Sequence, residues 1–113
     1  MVENNKQPLI FKPWRPGEKL VIGHFGISVP DNDQTLIPDL IICPLLAYDS
    51  KGMRLGYGGG FYDRTIKYLR RNKRVKYIGL AFSGQKSYHD LPSEVHDVPL
   101  DAVLTETGMD YFQ

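Results

Sequence analysis

Two stretches of the chain are apolar almost without interruption. They are "LIICPLLAY", residues 40–48, and "VKYIGLAF", residues 75–82. A strand with one face in water alternates apolar and polar residues, whereas continuous apolar runs of this length are typical of parallel strands buried on both faces. A shorter segment, "DAVLTE" at residues 101–106, predicts a last strand.

Between the two long runs the apolar positions change to a helical spacing. Tyr62, Ile66 and Leu69 are four and three residues apart in "FYDRTIKYLRRN", which places them on one face of a helix. Arg70 and Arg71 at its end suit the negative end of the helix dipole. Strand, helix and strand in this order predict a βαβ unit with a small, mostly parallel sheet. The fold class is therefore α/β, a shortened Rossmann-like three-layer domain.

The N-terminal third predicts a β-hairpin. Apolar runs at residues 8–14 and 19–29 flank "RPGE", and Pro16-Gly17 suits the centre of a type II turn, because proline presets its φ and glycine accepts a positive φ. Pro13 would interrupt a central ladder, so its strand is expected at an edge. The length of 113 residues suffices for one small domain, and we expect residues 1–113 to form a single one.

The composition is that of an ordinary globular protein. The hydrophobic fraction is 42% and the net charge +1, so the totals do not argue for nucleic acid or an anionic membrane as partner. Residues 67–76 hold six basic residues, which we interpret as a solvated helix end, with an RNA-binding patch as the alternative. The single cysteine, Cys43, excludes an internal disulfide, and neither a membrane-spanning run nor a signal peptide is present, so we expect a cytoplasmic protein. The spacing of the three histidines, His24, His89 and His96, is not that of metal ligands.

The segment richest in candidate chemistry is "RLGYGGGFYDR", residues 54–64, between the first long strand and the helix. Ligands of open parallel sheets gather at the carboxyl ends of the strands, and a helix N-terminus offers unpaired N–H groups to phosphate. The glycines would let the backbone approach an anion closely. Arg54 could add a forked contact, and Asp63 in the first helical turn could hold Mg²⁺ against the phosphates.

Each feature of this segment also has a simpler interpretation. Gly-rich turns are common, Asp63 could only cap the helix or favour its dipole, and Arg54 could be a solvated charge. Neither GxxxxGK[ST] nor GxGxxG is present, because no lysine follows the glycines and Phe61 stands where a third glycine would be. The residues alone therefore leave a phosphate cradle and a flexible turn both open.

The order of residues in this region resembles a known family. "PDLIICPLLAYDSKGMRLGYGGGFYDR", residues 38–64, closely resembles the signature of the 5-formyltetrahydrofolate cyclo-ligases, also called 5,10-methenyltetrahydrofolate synthetases. Downstream, "IGLAFSGQ", "LPSEVHD" and "LDAVLTE" are similar to the family. Upstream, "LIFKPWRPGEKLVIGHFGISVP" resembles its hairpin and its G-I-x-E-P turn. The resemblance covers roughly residues 8–107.

The resemblance implies a ligase of folate one-carbon metabolism. Such enzymes use ATP and Mg²⁺ to convert 5-formyltetrahydrofolate into 5,10-methenyltetrahydrofolate, with release of ADP and phosphate. The resemblance also implies an order of steps. The formyl oxygen is phosphorylated first, the N10 amine then attacks the activated carbon, and phosphate leaves last. Such chemistry needs positioning and charge neutralisation more than a protein nucleophile.

Site residues follow from the resemblance by position. Asp63 and Asp97 would be the metal ligands, although an aspartate in a loop such as "VHDVP" is also typical of a turn or cap. Gln85 and the pair Tyr48-Asp49 would line or brace the site. Arg54 and Tyr57 would be catalytic. The ATP-phosphate loop would comprise Arg54, Leu55, Gly56, Tyr57, Gly58, Gly59, Gly60, Phe61 and Tyr62. The folate would be bordered by Tyr57, Gly58, Gly59, Gly60 and Phe61.

The chain departs from the family in length and at one residue. Family members usually carry a further N-terminal half, which the resemblance implies supplies a basic segment for ATP, a glutamate for folate and further strands. Val29 stands where the G-I-x-E-P turn has its glutamate. A parallel sheet without those strands exposes an apolar edge and face. We therefore expect a homodimer or a partner chain, and weak or absent activity of this chain alone. The alternative is a non-catalytic nucleotide- or folate-binding remnant that needs a partner.

Overall fold

The computed structural model describes residues 7–23, 26–58 and 60–112. These residues form several short strands and one α-helix. The helix is α1 (Phe61–Leu69), and a 3₁₀ turn spans Ser83–Gln85. The strands are β1 (Leu20–Ile22), β2 (Ser28–Pro30), β3 (Leu40–Pro44), β4 (Ala47–Tyr48), β5 (Arg54–Leu55), β6 (Lys76–Leu80), β7 (Ala102–Thr105) and β8 (Gly108–Tyr111). No helix in these ranges is long and apolar enough to cross a membrane.

Four strands form one mixed sheet in the order β3-β6-β7-β8. β3 runs parallel to β6, and β6 parallel to β7, while β7 and β8 are antiparallel. Because α1 lies between β3 and β6 in the chain, the predicted α/β class and βαβ unit are confirmed. The apolar run at residues 40–48 is two strands rather than one, since Pro44 ends β3 and the hairpin β4–β5 follows.

The hydrophobic pattern missed β8. Its four residues are all exposed, so no burial pattern marks them as a strand. Gly108, with φ of 123°, lets the chain reverse directly after β7, and Thr105 is then paired with Gly108. The predicted last strand is therefore followed by an antiparallel partner at the sheet edge.

One face of α1 packs on the sheet. Thr65, Ile66 and Leu69 are buried, and Tyr62 is partly buried against the same core, which confirms the predicted apolar face. The sheet contributes Ile41, Cys43, Tyr77 and Val103 to this core, and Ala81, directly after β6, joins them. Burial of these apolar side chains is the main force that holds α1 on the sheet.

The opposite face of the sheet is open in the described part of the chain. Along β3, Ile41 and Cys43 are buried whereas Leu40 and Ile42 are exposed, Ile42 by 53%. The expectation that this strand is buried on both faces is wrong, because no described element covers the second face. Leu80 continues the open face on β6, next to Leu104 on β7. Of the three predicted layers, the described residues supply the sheet and the helix on one side.

The N-terminal hairpin is present, but its arms are not the predicted ones. β1 pairs with β2 from Leu20–Pro30 to Ile22–Ser28, so both arms lie within residues 19–30. The turn at "RPGE" is confirmed: Glu18 N donates to Arg15 O at 3.0 Å, and Gly17 has φ of 92°. Residues 8–14 form no strand and make a single bridge, Phe11 to Leu36, because prolines there remove ladder donors.

Candidate functional site

The glycine loop, residues 56–60, joins β5 to the first turn of α1. It begins at the carboxyl ends of β6 and β7, since Tyr57 lines one cavity together with Leu80 and Leu104. The expected position at the strand ends is confirmed, although the hairpin β4–β5 rather than β3 leads into the loop.

The loop presents backbone amides at a helix start. Gly60 is the N-cap of α1 with φ of 66°, and no side chain from the described residues caps this end at the N-cap position. The N–H groups of a first helical turn without such a cap are natural donors to an anion. Gly58, with φ of 96°, is exposed, and a Cβ there would meet no described heavy atom within 4 Å. Gly59 lies outside the described residues.

Arg54 lies beneath this loop. Its side chain is only 9% exposed, and its Nε donates a hydrogen bond of 2.6 Å to Tyr77 Oη. Nη2 is 3.9 Å from Asp63 Oδ1, and the guanidinium stacks on the Tyr62 ring, 5.4 Å from its centroid. Arg54 is therefore not a solvated charge: it is a buried cation directly under the candidate anion site.

Two groups beside this cation, the Tyr77 phenol and the Cys43 thiol, are held neutral. Burial is the main cause that raises the pKa of the Tyr77 phenol and of the Cys43 thiol. For Arg54 itself, burial works against the charge, but Tyr77, Cys43 and Asp63 outweigh it and the pKa is raised. Arg54 thus brings one positive charge into a poorly hydrated part of the core, where Asp63 is the acidic side chain beside it.

Asp63 and Asp97 face the same cavity, which has a volume of about 500 Å³. Asp63 Oδ1 accepts a hydrogen bond from Val98 N at 3.3 Å. Asp97 Oδ2 accepts one from Glu94 N at 2.8 Å, so Asp97 both braces its own turn and lines the cavity. The other lining residues are Gly60, Arg64, Lys67, Glu94 and His96. The structure therefore brings together two carboxylates that lie far apart in sequence.

The Asp63 carboxylate is costly to ionise in this setting. Burial raises its pKa above the ordinary value, and the nearby Asp97 charge acts in the same direction. The Val98 hydrogen bond and Arg54 oppose that shift without cancelling it. Across the described ranges, no three His, Cys, Asp or Glu side chains stand close enough to hold a metal by themselves. Two carboxylates that leave room for phosphate oxygens and water match the preference of Mg²⁺.

A second, more apolar cavity of about 610 Å³ adjoins the glycine loop at the strand ends. Tyr57, 70% exposed, and Phe82, 73% exposed, both line it. The remaining lining residues are Pro44, Leu45, Leu80, Ala81, Gln85, Leu104, Thr105 and Glu106. Two exposed aromatic rings beside aliphatic side chains suit a flat heteroaromatic ligand. No sequence motif marks Phe82, and the signal that could have found it is its position just after β6, at a strand end.

Two of the side chains that the resemblance places at the site, Asp49 and Gln85, are held by hydrogen bonds. The carboxylate of Asp49, which is buried, accepts hydrogen bonds from the amides of Lys51, Met53 and Leu91, at 2.9, 3.0 and 2.9 Å. Gln85 Nε2 donates to Leu45 O at 3.0 Å, so it fixes the floor of the apolar cavity. Tyr48, next to Asp49, is buried in the core.

The basic segment lies at the other edge of the sheet. Arg70, Arg71, Lys73, Arg74 and Lys76 line a cavity of about 730 Å³ together with Asp101. Two of these cations are paired: Arg70 with Asp101 at 2.9 Å, and Lys73 with Asp39 at 2.6 Å. Because the cavity borders the amino ends of β6 and β7, it is separate from the glycine loop. Among the histidines, His96 pairs with Glu94 at 2.8 Å, and His24 lies outside the described residues.

The known proteins to which this chain is similar belong to one family. The sequence model of the 5-formyltetrahydrofolate cyclo-ligase family matches residues 4–106. A 5-formyltetrahydrofolate cyclo-ligase of Haemophilus influenzae is 41% identical over 104 residues, which are 88% of this chain and 54% of that protein. The Escherichia coli K12 protein of the same name is 39% identical over 102 residues, 86% of this chain and 55% of its own length.

Solved structures agree with the sequence matches. The NMR structure of Aquifex aeolicus 5,10-methenyltetrahydrofolate synthetase superposes with a TM-score of 0.73 at 32% identity, and covers 100% of this chain and 56% of that one. The synthetase from Mycoplasma pneumoniae gives 0.54 at 34% identity, over 68% of this chain and 46% of that one. The chain spans about half the length of the curated relatives it matches, and the match falls in their C-terminal portion.

Proposed function

Because the chain belongs to the 5-formyltetrahydrofolate cyclo-ligase family, we propose that it takes part in the ATP- and Mg²⁺-dependent conversion of 5-formyltetrahydrofolate to 5,10-methenyltetrahydrofolate. The observation that carries this proposal is the convergence of the glycine loop, Asp63 and Asp97 on one cavity at the start of α1. The reaction belongs to the cytoplasm, where a single buried, free thiol such as Cys43 stays reduced.

Residues 54–62, which are the glycine loop and its flanks, bind the phosphates of ATP in this proposal. Backbone N–H groups at the start of α1 donate to phosphate oxygens, and the helix dipole adds to their attraction. Arg54 is the cation beneath the loop, with its side chain shielded from water. A charge in a shielded setting acts more strongly on a neighbouring anion than one in bulk water, which is the reason to give Arg54 a catalytic role.

Asp63 and Asp97 hold Mg²⁺. The fit rests on the donor set: two carboxylates on one cavity, one of them with a pKa raised by burial. Asp63 and Asp97 would hold this cation, which would offset the unfavourable charge of the Asp63 carboxylate and supply positive charge for the phosphates. Neither carboxylate acts as a nucleophile in this proposal.

The apolar cavity beside the loop takes the flat ring system of the folate. Tyr57 and Phe82 are the aromatic side chains available for stacking, and Gln85 is held in place by its bond to Leu45 O. Tyr57 also belongs to the glycine loop, so it lies between this cavity and the phosphate site. That position is the reason to assign Tyr57 to the step in which the formyl oxygen meets the γ-phosphate.

The test is product formation by the whole chain. The protein is incubated with ATP, Mg²⁺ and 5-formyltetrahydrofolate, and methenyltetrahydrofolate is followed by its absorbance. We expect slow turnover that is lost in Asp63→Asn and kept in Asp110→Asn, which removes the same charge from an exposed position on β8. Turnover that persists at the same rate in Asp63→Asn would contradict the metal assignment.

A non-catalytic remnant is the second candidate. It is favoured by the open face of the sheet, where Leu40 and Ile42 on β3 and Leu80 on β6 are exposed. Such a face calls for a homodimer or a partner chain. If ATP or 5-formyltetrahydrofolate binds but no product forms at any enzyme concentration, this candidate replaces the first one.

A further inference from the structure

A single guanidinium connects three elements of the site with the glycine loop. Arg54 on β5 reaches Tyr77 on β6 through Nε and Asp63 on α1 through Nη2. It also lies directly under the loop, because a Cβ placed on Gly56 would overlap Arg54 Nη1. Gly56 is not among the glycines with positive φ. A side chain at position 56 would therefore have to displace the guanidinium, whereas the backbone conformation there does not call for glycine.

Tyr77 determines where the guanidinium lies. Its side chain is fully buried on β6, and its hydroxyl donates to Cys43 Sγ at 3.6 Å while it accepts from Arg54 Nε at 2.6 Å. The bond to sulfur orients the hydroxyl so that a lone pair faces Nε. A hydrogen bond from a charged donor is short and strong, and its loss in the core leaves that donor without an acceptor.

We propose that Tyr77 is a positioning residue for the phosphate loop. It acts through Arg54, whose charge it holds under Gly56 and beside the Asp63 carboxylate at the same time. Tyr77 is too deeply buried to touch a ligand itself. The inference rests on the proposed function, because phosphate and metal are what the loop and Asp63 would bind.

The alternative is that Tyr77 only fills space in the core. Tyr77→Phe separates the two, since it keeps the ring and its packing and removes only the hydroxyl. Tyr68→Phe is the matched control: Tyr68 is a half-exposed residue of α1 that lines neither cavity of the candidate site. Gly56→Ala displaces the guanidinium from above, so it tests the same arrangement without a change at Tyr77.

Two readouts are taken on the full 113-residue chain. The first needs no ligand: NMR spectra follow the Arg54 Nε–H signal and the amides of Gly56 and Gly58. The second is calorimetric titration with Mg·ATP. We expect Tyr77→Phe to remain folded, to lose the protected Nε–H signal, to shift the loop amides, and to weaken Mg·ATP by about tenfold or more. Tyr68→Phe should match the wild type in both readouts.

The outcomes separate this inference from the proposed function. If the wild type binds Mg·ATP and Tyr77→Phe binds it equally well, Tyr77 only fills space and the inference is overturned. If the wild type binds no Mg·ATP, the proposed function fails, and unchanged loop amides in Tyr77→Phe would then also overturn the positioning role. If Tyr77→Phe does not fold, Gly56→Ala decides: the same loss of the Nε–H signal and of affinity supports the inference, and unchanged values overturn it.

Discussion

Gly17 and Gly52 have nearly equal backbone angles but different surroundings. Their φ values are 92° and 82°, both in the left-handed region. A Cβ at Gly17 would meet no described heavy atom within 4 Å, whereas one at Gly52 would lie 2.9 Å from Leu100 O and 3.0 Å from the Phe112 ring. Gly52 is therefore required for two reasons: its backbone has a positive φ, and Leu100 and Phe112 leave no room for a Cβ.

The two alanine substitutions should differ in their effect on stability. Gly17→Ala should lower the free energy of unfolding by about 1–2 kcal/mol, the cost of a left-handed residue with a Cβ. Gly52→Ala should lower it by a further 1–3 kcal/mol or so, because the added methyl group overpacks the site. Urea denaturation of both variants measures the difference. Equal losses would show that the contact with Leu100 and Phe112 carries no constraint.

At the scale of elements, the carboxyl ends of the sheet strands are tied together by one carboxylate. Glu106 follows β7, and its two oxygens accept from Ser83 N at 2.7 Å and from Ser83 Oγ at 2.6 Å. Ser83 begins the 3₁₀ turn after β6. Since Phe82 and Glu106 line the apolar cavity, this pair of hydrogen bonds fixes one of its walls.

The Glu106 contact predicts a pH dependence. The Ser83 hydroxyl, followed by backbone N–H groups, lowers the pKa of Glu106 below its ordinary value of 4.5. A carboxyl group with a lowered folded-state pKa contributes stability above its unfolded value and loses that contribution as the pH falls through the folded value. NMR titration should therefore find a pKa of Glu106 below the ordinary value of 4.5. In Ser83→Ala the pKa should return toward the ordinary value, and an unchanged pKa would contradict the assignment.

The sequence predicted those elements that an apolar run or a helical spacing of apolar residues marks. The spacing of Tyr62, Ile66 and Leu69 identified α1, because one face of that helix is buried. β8 was missed because its side chains are exposed, and the hairpin arms were misplaced because a favourable turn at Pro16-Gly17 does not require that its flanks pair.

The site could be predicted only where its residues are adjacent in sequence. The loop itself was visible in the glycines, and Asp63 in its place after them. The approach of Asp97 to Asp63 depends on the path of the loop after β6, so it came from the family resemblance rather than from spacing. The contact between Arg54 and Tyr77 crosses from β5 to β6, and no local pattern records it.

At the scale of the whole molecule, the open face of the sheet is the main unsatisfied surface among the described residues. Ile42 lies on this face and pairs in register with Ile78 of β6. Exposed apolar patches on sheet faces favour association, because association removes them from water. The homodimer or partner chain that we propose would cover this face.

Sedimentation at several concentrations tests the homodimer form. We expect a dimer that Ile42→Glu shifts toward the monomer, because a carboxylate would be buried without a partner in the interface. Ile37→Glu is the control, since Ile37 is equally an exposed isoleucine but lies in the connection before β3. A wild-type chain that stays monomeric at every concentration contradicts the homodimer.

The central claim is that the glycine loop, Asp63 and Asp97 form one magnesium–nucleotide site. The measurement that tests it most directly is calorimetric titration of the chain with ATP, with Mg²⁺ present and with Mg²⁺ removed by a chelator. We expect binding that requires Mg²⁺ and is lost in both Asp63→Asn and Asp97→Asn, while Asp110→Asn binds like the wild type. ATP binding that is unchanged without Mg²⁺, or that is kept in both aspartate variants, would contradict the proposed magnesium–nucleotide site.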